Sequence, residues 1–122
     1  MKRVIAASAL ALVLSSCASL NLVTPKTPAQ TVYAVEGEYA AALNIAISYR
    51  QLPNCSTGAA LCEDDATLAK VRAADAAAWS AILTAQDAVR GGLTTAQISQ
   101  TASDASAAVL AFSTLVHTLR VK

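Results

Sequence analysis

Ile98, Ala102, Ala105, Val109, Phe112, Val116 and Leu119 recur in alternating steps of four and three. An α-helix turns once every 3.6 residues, so this spacing lines all seven side chains along one face. A strand would scatter them onto both faces. Thr94-Thr95-Ala96-Gln97 stands just before the repeat. A threonine followed three residues later by glutamine is a capping box, and Leu93 and Ile98 occupy the hydrophobic-staple positions around it. Ser, Thr and Gln fill the other faces. The spacing therefore predicts an amphipathic helix over about 95–120 that must bury one long stripe.

Two further helices supply candidate partners. Val32, Val35, Tyr39, Ala42, Leu43, Ala46 and Tyr49 share a face of a helix predicted over about 29–51. Thr27 and Pro28 suit its cap and first turn. It should stop near Leu52, which Pro53 pushes out of helical backbone space. Leu68, Val71, Ala78, Ile82, Ala85 and Val89 mark a helix predicted over about 64–90. Glu63, Asp64 and Asp65 stand at its favourable end for acids, and Gly91-Gly92 stop it. Trp79 lies beside this stripe and Asp75 within it. Asp75 is read as solvated, with pairing to Arg72 or Lys70 as the competing reading. The sequence holds 29 alanines but only five aromatic residues. Helices should form readily and pack closely around a thin core. Short connections between three amphipathic helices predict an all-α fold: an antiparallel three-helix bundle, up-down-up, over residues 29–122.

The N-terminus has a different character. Met1-Lys2-Arg3 precedes an apolar run of about 11 residues from Val4 to Leu14, then Ser15-Ser16-Cys17-Ala18. Basic start, short apolar run and small residues form a secretory leader. The run is shorter than the ~20 residues of a membrane-spanning helix. Leu14-Ser15-Ser16-Cys17 resembles the bacterial lipobox, an aliphatic residue and two small residues before a cysteine. The resemblance implies removal of residues 1–16 and acylation of Cys17 with palmitate-type chains. Ordinary cleavage after Ala18, releasing a soluble secreted protein, is the competing reading. Residues 17–28, with Pro25 and Pro28, then form an acylated, flexible tether. Residues 18–28 alone reach up to ~35 Å when extended. Ala18 in place of an aspartate favours the outer membrane by the enterobacterial sorting rule, with the domain facing the periplasm. Losing Lys2 and Arg3 leaves seven Lys/Arg against eight Asp/Glu, a charge of about −1. No basic patch calls for nucleic acid.

With Cys17 acylated, Cys55 and Cys62 remain as a pair. An oxidising envelope favours a disulfide between them. Closing that loop would stabilise by roughly 2.5 kcal/mol in the chain-entropy model. Two cysteines without a nearby histidine make a poor zinc site, and six intervening residues is not a redox spacing. The enclosed Ser, Thr, Gly, Ala and Leu carry no catalytic group. The loop is read first as a device that orients the next helix, and second as a binding loop.

No catalytic constellation emerges elsewhere, and no metal or cofactor is implied beyond the lipid on Cys17. His117 stands alone near the end of the last helix, where a cation suits the dipole. Asp64-Asp65 lacks the alternating oxygen ligands of a calcium loop. Tyr33, Tyr39 and Tyr49 are read as core and groove packing, with a partner-binding stripe as the sharper reading. The sequence ends Leu119-Arg120-Val121-Lys122. A terminal lysine on a helical lipoprotein resembles the major outer-membrane lipoprotein of enterobacteria, whose last lysine is joined to peptidoglycan. That resemblance implies attachment through Lys122. However, that family is a single-helix trimer, and the plain reading of Lys122 is a cation near a helix end. The expected function is a non-catalytic envelope lipoprotein that acts as a structural or protein-interaction module. The alternatives are a prophage-type small lipoprotein for receptor exclusion or lysis, and a peptidoglycan-linked tether. Membrane contact through the lipid and an envelope protein partner are expected. The last helix's stripe serves either its own core or a homo-oligomer.

Overall fold

Each helix begins on a side chain that satisfies one of the free amides of its first turn. Thr27 Oγ1 accepts from Gln30 N at 3.2 Å, and Gln30 Oε1 accepts from Thr27 N at 3.2 Å. This reciprocal box, with Pro28 in the first turn, opens α1, Pro28–Arg50. Asp64 accepts from Thr67 N at 2.8 Å and opens α2, Asp65–Arg90. Thr94 and Gln97 form the expected capping box and open α3, Thr95–Thr118. The computed structural model describes Pro25 and residues 27–119. The leader, the Leu14–Cys17 motif and Lys122 lie outside the described residues.

The stops follow the sequence as well. Gly92 has φ +64°, a left-handed conformation that costs a residue with a Cβ. Around it, Leu93 N donates to Ala88 O at 3.2 Å and Gly92 N donates to Val89 O at 3.3 Å. That is a Schellman motif, which satisfies the last carbonyls of α2 and turns the chain into α3. The bounds lie within two residues of the expected 29–51, 64–90 and 95–120.

The bundle runs up-down-up. Glu36, Tyr39 and Tyr49 on α1 hydrogen-bond to Gln86, Asp75 and Asp64 in descending order, so α1 and α2 are antiparallel. Thr31 lies near Ala102, and Tyr49 near Thr118, so α1 and α3 run the same way. α3 packs against both other helices, which touch each other less.

The heptad stripe of α3 is the centre of the core. Ala102, Ala105, Val109, Phe112 and Val116 are buried against Val32, Val35 and Ala42 of α1 and Val71, Ala78 and Ile82 of α2. The stripe thus serves its own chain. Seven of the fifteen buried residues among those described are alanine, so close approach of the backbones replaces bulk. On α2 one position departs from expectation. Ala88 is buried, while Val89 is only half-buried against the core. α2 packs most extensively on α3, and the short glycine turn holds their ends together, which rotates the buried stripe toward α3.

Phe112 is the largest fully buried side chain. Truncation of Phe112→Ala should lower the unfolding free energy by about 3–5 kcal/mol, read as a shifted urea midpoint.

Candidate functional site

The connection between α1 and α2 is built as a closed knot of short-range bonds. Asn54 caps a single 3₁₀ turn, Cys55–Thr57, by accepting from Ser56 N at 2.9 Å. Gly58, with φ +76°, then reverses the chain. Cys55 and Cys62 are joined by a disulfide with their Cα atoms 4.8 Å apart. Beneath it, Cys55 N donates to Glu63 O and Glu63 N donates to Pro53 O, both at 2.9 Å. Asn54 Nδ2 also donates to Asp65 Oδ1 at 3.3 Å.

Tyr49 fastens this loop to the bundle. Its hydroxyl donates to Asp64 Oδ2 at 3.2 Å and accepts from Asp64 N at 3.0 Å. The last turn of α1 therefore holds the residue that caps α2. Neither Tyr49 nor Asn54 could be assigned these partners from spacing, because both bonds depend on how the loop folds back. Glu63 Oε2 is buried without a hydrogen-bond partner.

A groove of about 450 Å³ opens between this loop and the end of α3. Tyr49, Leu52, Leu61, Lys70, Leu115 and Leu119 line it. Leu61, next to Cys62 in the loop, is 65% exposed. The groove lies at the opposite end of the bundle from Pro25, which sits near Ser99, Ala102 and Ser103 in the N-terminal half of α3. At 1.5 Å per residue the two ends stand ~35 Å apart.

A second cluster lies at mid-height. Tyr39 stacks on Trp79 with ring centroids 5.6 Å apart, and lies 5.8 Å from Phe112 at a tilt of 37°. One aromatic residue from each helix therefore meets at Tyr39. Its hydroxyl donates to Asp75 Oδ1 at 2.7 Å. Asp75 is half-buried, and its side-chain partner is this phenol rather than Arg72 or Lys70. The Tyr39 hydroxyl is pushed up from 10.0 to about 12, first by burial, then by the Asp75 hydrogen bond and charge. At neutral pH it is a donor that positions α1 against α2, and neither base nor nucleophile.

The other expected residues are dispersed. Tyr33 is exposed, unlike the packed Tyr39 and Tyr49, and His117 is exposed in the last turn of α3. Among the described residues, no three His, Cys, Asp or Glu side chains are grouped to hold a metal. None of the described helices is long and apolar enough to cross a membrane. No protein-family profile matches the chain, and no curated protein or solved structure matches it either.

Two outcomes follow from this geometry. Replacing both Cys55 and Cys62 by serine should cost roughly 2.5 kcal/mol in urea unfolding, while helical circular dichroism is retained. Tyr39 holds its proton more tightly folded than unfolded. Its stabilisation is therefore fully present below pH 10.0 and lost as pH rises toward about 12. Urea midpoints measured across that window should fall in the wild type, and Tyr39→Phe should remove this component of the fall.

Proposed function

We propose that this chain is a lipid-anchored, non-catalytic protein of the bacterial cell envelope that serves as a protein-interaction module. Cys17 carries the lipid, and the disulfide-closed end of the bundle meets the partner. The observation behind this reading is the polarity of the bundle. The chain enters at Pro25, and the groove lined in part by Leu52, Leu61, Leu115 and Leu119 opens at the far end. A domain tethered through its N-terminus holds that groove away from the bilayer. Two or more acyl chains give stable attachment where a single chain is marginal. Ala18 after Cys17 fits the outer membrane, with the bundle in the periplasm.

The groove suits a partner that offers an apolar side chain. Leu52, Leu115 and Leu119 line its wall, and the disulfide loop holds Leu61 in place. A rigid loop lowers the ordering cost of binding.

Bacteria expressing the full chain and fed an alkyne-bearing palmitate should incorporate it into this protein, and Cys17→Ser should abolish the label. An unlabelled wild type would rule out the anchor. A photo-crosslinking residue in place of Leu61 should give a discrete adduct in intact cells. The same residue at Leu110, exposed on α3, should give none. Identical patterns at the two positions would dismiss the groove.

A further inference from the structure

The two limbs of the disulfide loop are held differently. The incoming limb is bonded along its length. Ser56 N donates to Asn54 Oδ1 at 2.9 Å, Thr57 N to Asn54 O at 3.0 Å and Gly58 N to Cys55 O at 3.1 Å. The outgoing limb, Ala59-Ala60-Leu61-Cys62, makes no hydrogen bond with any described residue. Ala60 and Leu61 are exposed, and Ala59 and Cys62 are half-buried. Glu63 is held again, by its backbone bonds to Pro53 and Cys55. Among the described residues, the Cys55–Cys62 bridge is therefore the one cross-link that fixes the outgoing limb. That limb forms one wall of the groove of about 450 Å³, through Ala60, Leu61 and Cys62.

The bridge can also be reached. Cys55 is exposed, and both cysteines line the open groove. Access governs the rate of thiol–disulfide exchange, and exposed bridges are the labile ones. The bundle does not hang on this segment. No residue from Leu52 to Asp64 belongs to the buried core. Asp64 caps α2 through its own side chain, whatever the state of the sulfur atoms.

We infer that Cys55–Cys62 is a site of reversible exchange with a dithiol, which takes down one wall of the groove while the bundle stays folded. A thiolate of the dithiol attacks the sulfur of Cys55, the more exposed cysteine. The S–S bond breaks, and its electron pair leaves on the Cys62 sulfur. The second sulfur of the dithiol then attacks the mixed disulfide and expels the Cys55 thiolate. Both cysteines take up the protons that the dithiol gave up. The dithiol is oxidised to a disulfide, and the bridge is reduced to two thiols. Ala59–Cys62 is released, and Leu61 leaves the groove wall. The backbone bonds among Pro53, Cys55 and Glu63 survive the step and keep Cys62 close to Cys55, so the bridge can re-form. The exchange stands on the loop alone, whereas its effect on a partner rests on the groove being the interaction site proposed above.

The full chain in detergent micelles is treated with dithiothreitol, without denaturant, and then alkylated. Peptide maps should show the label on both Cys55 and Cys62. Nitrogen-15 order parameters at Ala60 and Leu61 should fall from about 0.85 to below ~0.6. Amide protection at Cys55 and Glu63, and helical circular dichroism, should be retained. Bis(2-hydroxyethyl) disulfide, an uncharged oxidant, should restore the bridge. A bridge that resists dithiothreitol until denaturant is added would overturn the inference. So would unchanged order parameters after reduction, lost protection at Cys55 and Glu63, or a bridge that fails to re-form. Partner contact is read separately in intact cells. A photo-crosslinking residue replaces Thr118, an exposed position lining the groove. Its adduct should be lost when Cys55 and Cys62 are both replaced by serine. The same adduct with and without the cysteines would defeat the gating. No adduct from either chain would remove the partner site, and its gating with it, whatever the exchange results.

Discussion

Tyr39, Trp79 and Phe112 are the point at which the three helices of this bundle become one object. Each helix supplies one ring, and the Tyr39 hydroxyl ties the cluster to Asp75 on α2. The core around them is small by composition. Alanine brings little apolar area, so most of the buried stripe works by letting backbones come close. Close approach carries little information about register, because one alanine fits opposite another at several heights. The aromatic contacts, each contributing ~0.5–1.5 kcal/mol beyond area, and the directional bond to Asp75 set the height of α1 against α2.

The disulfide loop does comparable work at one end. Its backbone bonds, the Asn54 cap and the Tyr49–Asp64 pair share the task with the covalent link. The loop is therefore held by more than its sulfur atoms. A surface built this way keeps its shape when a ligand arrives, which is why the groove beside Leu61 serves as the interaction site in the proposed function.

Local chemistry was legible in the sequence, and long-range pairing was not. Thr94 with Gln97, Thr27 with Pro28, and Gly91-Gly92 announce helix ends through groups a few residues apart, and they behave as read. The heptad stripe of α3 named its buried residues, because only one face of that helix is apolar. Cys55 and Cys62 were readable as a pair. Asp75 was not, since its partner lies 36 residues away on another helix. The half-buried Val89 shows a related limit: a period defines a face, and the neighbouring helix decides which edge of that face is covered. On α1 and α2 the stripes read from the sequence are otherwise the buried ones: Val32, Val35, Ala42 and Ala46, and Leu68, Val71, Ala78, Ile82 and Ala85.

The arrangement also has a consequence for the order in which the molecule can form. α3 touches both other helices extensively, while α1 and α2 touch each other sparingly. A nascent chain that has produced α1, the closed loop and α2 holds two amphipathic helices whose apolar stripes still lack their common lining. The disulfide can join at that stage, because it links neighbours in the chain, yet it encloses no core. Folding therefore waits for the last helix. Until α3, Thr95–Thr118, has formed, the chain is kept open by its own topology.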